Sequence, residues 1–195
     1  MKKLVLASNN AGKLREFGQL LAELDFEVLP QSAFNVPEAE EPYGTFVENA
    51  LTKARHCARL TGLPALADDS GLCVHALDGA PGVRSARFAG EPKSDERNNA
   101  HLLHQLEGKA DRRGHYVAVL VFVRHADDPQ PLIAEGEWRG EILTAPRGEG
   151  GFGYDPLFFI PSLNATVAEL PAERKNALSH RGMALRQLIE KLKQQ

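Results

Sequence analysis

Asp68 and Asp69 stand side by side within an apolar run, with Ala65-Leu66-Ala67 before them and Leu72-Cys73-Val74 just after Ser70-Gly71. Adjacent carboxylates at a strand end repel each other, and burying them without a cation is costly. A metal ion offsets such a pair, and Glu40 and Glu41 in the preceding loop are placed to complete its shell. Oxygen-only ligands select Mg2+, with Mn2+ as a substitute, over zinc. Side chains alternate along a strand, so the two aspartates face opposite ways and only one need ligate directly. The competing reading is a solvated turn, because Asp-Ser-Gly is also a common turn composition.

A second constellation is Ser8-Asn9-Asn10-Ala11-Gly12-Lys13, between the apolar Leu4-Val5-Leu6-Ala7 and an amphipathic segment. A strand that turns into a helix through small polar residues presents free backbone N–H groups at the positive end of the helix. That is an anion site, and Lys13 adds a full charge beside it. The turn is neither a Walker loop, since Leu14 follows Lys13, nor the dinucleotide fingerprint, since Gly12 is its sole glycine. Three more segments carry donors or flat surfaces. Lys53 lies four residues after Asn49, on one helix face; nearby Arg55 reads as solvated surface. In Gly150-Gly151-Phe152-Gly153-Tyr154-Asp155-Pro156, glycines let the backbone approach a flat ligand, and Phe152 is able to stack on a base. Asp155 is able to accept from ring N–H groups, although a hairpin loop with a core-facing Phe has the same composition. Lys175-Asn176-Ala177-Leu178-Ser179-His180-Arg181-Gly182 sets cations near a helix start, against the dipole, which marks either function or a solvated basic turn.

The elements that must position these residues follow from periodicity. Residues 3–7 read as a strand buried on both faces, followed by a helix beginning near Lys13 with Leu14, Phe17, Leu21 and Leu24 on one stripe. A strand at 26–29 and a polar loop at 31–44 come next. Thr45-Phe46-Val47-Glu48 is a capping box, opening a long helix through Ala50, Leu51, Ala54 and Ala58 to Gly62. Ser94 caps a helix with Ala100, Leu102, Leu103 and Leu106. Residues 116–123 are the clearest strand, with 131–138 and 141–143 as antiparallel neighbours. A glycine loop spans 148–155, a short apolar stretch 157–160, and Ser179 caps a final helix with Leu185, Leu188, Ile189 and Leu192. Strands alternating with helices make this α/β, and without repeats or linkers residues 1–195 read as one domain.

Bulk properties exclude other classes. A net charge of −3 over 195 residues offers no basic field for a nucleic acid polymer. No apolar run approaches a membrane span, and the one after Met1-Lys2-Lys3 is too short for a signal peptide. Cys57 and Cys73 lie apart in apolar surroundings and read as buried free thiols, in keeping with a reducing cytoplasm.

Taken together these segments resemble the inosine triphosphate pyrophosphatase family along essentially the whole chain. The resemblance rests on residues 8–13, Thr45-Phe46-Val47-Glu48-Asn49-Ala50 with Lys53-Ala54-Arg55, Ala67-Asp68-Asp69-Ser70-Gly71-Leu72, Gly79-Ala80-Pro81-Gly82-Val83 with Ser85-Ala86-Arg87, Gly151 to Pro156, and Ser179-His180-Arg181-Gly182. It implies a bilobed α/β fold with a long mixed sheet flanked by helices, an active-site cleft between lobes, a homodimer and Mg2+. It implies hydrolysis of nonstandard purine nucleoside triphosphates (ITP, dITP, XTP, dXTP) to the monophosphate and pyrophosphate. By the family pattern Ser8, Asn9, Asn10, Ala11, Gly12 and Lys13 bind the triphosphate, Glu40 and Asp69 hold the metal, and Asp69 accepts the proton. Ser70, Phe152, Gly153, Tyr154, Asp155, Lys175, His180 and Arg181 contact the substrate, the later ones around the base. Pro42 and Tyr43 vary among members, which leaves Glu41 a rival of Glu40.

Charge explains the implied mechanism. A polyanionic tail must be screened before a nucleophile approaches, and Mg2+, Lys13, Lys53 and the helix N-terminus supply that. Asp69 orients or deprotonates a water, with Asp68 a rival base because metal ligation lowers basicity. Lys175, His180 or Arg181 donating to a 6-keto oxygen separates these purines from adenine, whose amino group leaves the donor unpaired. Two other readings remain open: a sensor that binds a triphosphate without cleaving it, and a pyrophosphatase of related fold acting on pyrimidine or modified nucleotides.

Overall fold

The computed structural model describes residues 1–194 of the chain. Strand β1 (Lys2–Leu6) buries its apolar Leu4, Val5 and Leu6 completely. It pairs in parallel with β2 (Phe26–Pro30) and with β3 (Ala65–Val74). Parallel neighbours need long crossovers, and helices α1 (Ala11–Ala22) and α2 (Phe46–Thr61) provide them. Strands β4 (Arg113–Val123), β5 (Leu132–Ile142), β6 (Phe158–Ile160) and β7 (Ala165–Thr166) follow. The seven strands lie in the order β2-β1-β3-β4-β5-β6-β7. The β5–β6 and β6–β7 pairs are antiparallel, so the sheet is mixed, as expected of this α/β chain. Helices α3 (Asp95–Gln105), α4 (Ala172–Leu178) and α5 (His180–Lys193) complete the set.

Side-chain caps set the helix ends. The Asn10 side chain accepts from Lys13 N at 3.0 Å. That starts α1 at Ala11, two residues earlier than the expected start near Lys13. Thr45 Oγ1 accepts from Glu48 N at 3.3 Å, the first bond of the expected capping box, while Glu48 Oε2 accepts from the Thr45 hydroxyl at 2.6 Å where the box would use the Thr45 backbone N–H. Gly62, with φ of +69°, ends α2 in the left-handed conformation that glycine adopts without strain. Gly182 N donates to Ser179 Oγ at 3.1 Å at the head of α5.

Two expectations are corrected. Residues 131–138 and 141–143 are not two strands: β5 runs unbroken over both. Its buried positions alternate through Ala134, Gly136, Trp138, Gly140 and Ile142. Gly140 is required there, because a Cβ would stand 2.5 Å from Phe159 O and 2.9 Å from the Phe158 ring. Lys175 and its neighbours form no solvated turn either; they make the separate helix α4 ahead of α5.

The chain divides into two compact units. The first comprises residues 1–69, 118–135 and the chain from Ala184 on; the second comprises 70–117 and 136–183. Each has its own apolar core. In the first, Leu4, Leu6, Phe17, Leu21, Leu66, Leu120, Leu185 and Leu188 are fully buried. In the second, Leu72, Val74, Leu102, Leu106, Leu157 and Phe158 are. A buried side chain of this size stabilises by roughly 1.5–3 kcal/mol, so either cluster holds its strands firmly. Cys57 is a buried free thiol; Cys73, expected to match it, is half-buried.

Candidate active site

In the first unit, β1 and β3 run parallel with Val5 opposite Ala65 and Leu6 opposite Leu66. Their carboxyl ends therefore lie together. The turn 8–13 leaves the end of β1, and Asp68-Asp69 continues from the end of the paired part of β3. Ligands of open α/β sheets bind at such strand ends. The turn is held by its own side chains: Ser8 Oγ accepts from Asn10 N at 3.1 Å, and Asn9 Oδ1 accepts from Ser32 N at 3.0 Å. Ala11 and Gly12 then expose the first-turn N–H groups that no carbonyl of the helix reaches. Lys13 Nζ lies 3.0 Å from Asp68 Oδ2, and the Asp68 side chain is 1% exposed.

Asp69 goes to a different lysine, as strand alternation requires. Lys53 Nζ donates to Asp69 Oδ1 at 3.0 Å, to Asp68 O at 3.0 Å and to Glu41 Oε1 at 2.6 Å. All three ammonium donors are spent. Burial works against the Lys53 charge, yet the Asp69 and Glu41 carboxylates together hold it above the ordinary lysine range. Burial likewise raises the Asp69 carboxyl; Lys53 opposes the rise, while Glu41 and Asp68 reinforce it. Glu41 is brought here by Asn49, whose buried side chain accepts from Tyr43 N and donates to Tyr43 O, both at 3.1 Å. Glu40, the other metal candidate, is exposed, as is Glu41.

Among the described residues no group of three or more His, Cys, Asp or Glu is arranged to hold a metal. Mg2+ does not need one, since it binds through one or two carboxylates with water and substrate phosphates completing its shell. Asp69 Oδ2 is buried and has no hydrogen-bond partner among the described residues. A carboxylate oxygen so placed is costly without a cation. Asp69 with Glu41 is thus an oxygen-donor pair that fits a hard cation.

The second cluster lies wholly in the second unit. Asp155, 2% exposed, accepts at Oδ2 from Phe152 N at 2.9 Å and from Lys175 Nζ, and at Oδ1 from Tyr116 OH at 3.2 Å. The sequence casts Asp155 as an acceptor for a base; in the fold its carboxylate ties the loop to α4 and β4. Gly151, with φ of +76°, is enforced by it, because a Cβ would fall 2.1 Å from Asp155 Oδ2. Phe152 is not core-facing: it is 63% exposed, with Lys175 Nζ 4.1 Å above its ring centroid. His180 stacks on Tyr116 at 4.9 Å and 15°. Burial first, and then Asp155, push the Tyr116 hydroxyl well above its ordinary range, so it stays a donor. Arg181 NH2 reaches Ser70 Oγ at 3.4 Å. Tyr154 OH donates to Ser85 O at 2.7 Å.

The fold therefore gathers Ser8 to Lys13, Glu41, Lys53, Asp68 and Asp69 in one cluster, and Ser70, Phe152 to Asp155, Lys175, His180 and Arg181 in the other unit. Sequence reasoning missed Tyr116, hidden in an apolar strand, and Asn49 as the clamp on the acidic loop. It also missed Asp95 and Asn99 of α3, which bond to Gly153. Their spacing of four at a capped helix start was the available signal.

A family model described as "Ham1 family" matches residues 4–191. A dITP/XTP pyrophosphatase of Aromatoleum aromaticum is 68% identical over 190 residues, covering 97% of this chain and 96% of its own. One of Ralstonia nicotianae is 65% identical over 196 residues, covering 99% and 98%. Among solved structures, a HAM1 protein from Coxiella burnetii superposes with a TM-score of 0.97 at 49% identity, covering both chains fully.

Proposed function

The chain belongs to the Ham1 family, and on that premise we propose that it hydrolyses nonstandard purine nucleoside triphosphates, ITP, dITP, XTP and dXTP, to the monophosphate and pyrophosphate. Relatives named dITP/XTP pyrophosphatase at 68% and 65% identity over nearly the full length support the substrate class. The observation that carries the chemistry is Asp69: half-buried, its carboxyl raised by burial, paired with Lys53, and with Oδ2 buried and without a hydrogen-bond partner among the described residues.

In this reading the α1 N-terminus and Lys13 take the triphosphate, and Lys53 neutralises charge beside it. Asp69 with Glu41, or with Glu40, would hold Mg2+, with Mn2+ as a substitute; when bound, the ion supplies charge neutralisation for the polyphosphate. Asp69 orients a water and receives its proton as the water oxygen bonds to the α-phosphorus; the bond from that phosphorus to the α–β bridging oxygen breaks, and pyrophosphate departs with that oxygen. Asp68, paired with Lys13 as Asp69 is with Lys53, stays a rival for the base role. Phe152 offers its exposed ring to the purine. Lys175, His180 and Arg181 are the donors available to a 6-keto oxygen, and an adenine amino group in its place leaves a donor unmet. A homodimer and a cytoplasmic setting belong to the same proposal; unpaired Cys57 and Cys73 are in keeping with a reducing compartment.

Phosphorus NMR of ITP incubated with the protein and Mg2+ tests the reading. The expected products are IMP and pyrophosphate in equal amounts, with turnover lost on chelating the metal. IDP and orthophosphate would refute the cleavage site, and unchanged ITP would leave a binding-only sensor.

A further inference from the structure

Gly153, with φ of +61°, stands at the tip of the aromatic loop, and α3 grips both of its backbone polar groups. Its N–H donates to Asp95 Oδ2 at 2.7 Å, and its carbonyl accepts from Asn99 Nδ2 at 2.8 Å. Asp95 opens α3 and Asn99 lies one turn on, so both reach from one helix face. The other Asn99 amide hydrogen goes to the Asp95 carbonyl at 2.8 Å. Both donors are thus spent on carbonyls, which fixes the amide's orientation: reversed, it would set Oδ1 against two carbonyl oxygens. The orientation leaves Asn99 Oδ1 buried with no hydrogen-bond partner among the described residues. A residue that leaves one atom unmet to keep two bonds elsewhere answers to a constraint other than local stability.

The clamp itself is anchored. Ser94 caps α3 by accepting from Arg97 N at 3.2 Å. Buried Asn98 accepts from Ala89 N at 2.8 Å and donates to Ala86 O at 3.1 Å. On either side of Gly153 the loop is also fixed, Phe152 N to Asp155 and Tyr154 OH to Ser85 O. What α3 adds is the placement of the tip that carries the Phe152 ring.

We propose that Asp95 and Asn99 are positioning residues that clamp Gly153 and so hold the Phe152 ring where a purine stacks; base affinity, and not phosphoryl chemistry, depends on them. The proposal rests on the nucleotide hydrolysis proposed above. Asn99→Ala and Asp95→Ala should each raise KM for ITP about tenfold while kcat stays within about twofold. Asp95→Asn keeps an acceptor for Gly153 N–H and should restore KM; Asn99→Asp has no donor and should not. Unchanged KM in both alanine variants, a loss confined to kcat, or Asp95→Asn as impaired as Asp95→Ala would overturn it. Hydrogen exchange at the Gly153 amide of the wild-type chain decides the clamp without nucleotide. Protection is expected, and exchange at the rate of an exposed glycine would overturn the proposal even if every variant misfolds. Should the wild type leave ITP intact, hydrolysis fails as a reading, and the Kd for ITP replaces KM in the same comparison.

Discussion

Asp69 and Phe152 divide the work at the scale of single residues. Asp69 shares Lys53 with Glu41 and has one oxygen without a hydrogen-bond partner among the described residues, so its removal strikes the chemical step. Asp69→Asn should cut kcat by at least about a hundredfold with little change in thermal midpoint; near-normal turnover would take Asp69 out of the mechanism. Phe152 is 63% exposed and buries no core surface. Phe152→Ala should therefore leave stability alone and raise KM at a cost of about 1–3 kcal/mol, by analogy with base–aromatic stacking. The residues that sequence made legible were those whose types conflict with their surroundings, such as acids in an apolar strand or cations at a helix start. Tyr116 and Asn49 conflict with nothing locally, and only the fold shows that they hold Asp155 and the Glu41 loop.

At the scale of elements, β4 and β5 are joined by a turn that depends on Asp128. Its carboxylate, 1% exposed, accepts from Arg124 N and Nε at 2.9 Å each, from Arg124 NH2 at 2.5 Å and from Gln130 N at 3.0 Å. The Arg124 side chain, chiefly, holds this carboxyl well below the ordinary carboxylate range against the effect of burial. A depressed carboxylate stabilises the fold above its unfolded pKa, and that contribution is lost as pH falls toward its folded value. Asp128→Ala should cost about 1–3 kcal/mol in urea unfolding at neutral pH. The deficit should shrink in strong acid, where the wild-type carboxylate also takes up its proton; a deficit independent of pH would deny the ionic role. Helix and strand positions were largely readable because caps and periodicity are local. The split reading of β5 failed because Gly140 looks like a break, whereas it is small for the Phe158 ring beneath it. α4 was missed because none of its seven residues is fully buried, so it carries no apolar stripe.

For the whole molecule, the charge logic runs from one unit to the other along the sequence: acids and lysines through Asp69 in the first, aromatic and basic groups from Ser70 on in the second. The α/β class followed from alternating elements and the mixed sheet from the family resemblance, but which loops share a strand end was not legible, because sheet order depends on long-range pairing. The central claim is that oxygen ligands and lysines select the polyphosphate while the aromatic loop and its donors select a 6-keto purine. A panel of ITP, XTP, ATP, dTTP and UTP, each assayed for pyrophosphate release with Mg2+, tests it directly. ITP and XTP should be turned over at least about tenfold faster in kcat/KM than ATP, dTTP or UTP. Pyrimidine triphosphates turned over faster than ITP and XTP, or no pyrophosphate from any of the five, would contradict it.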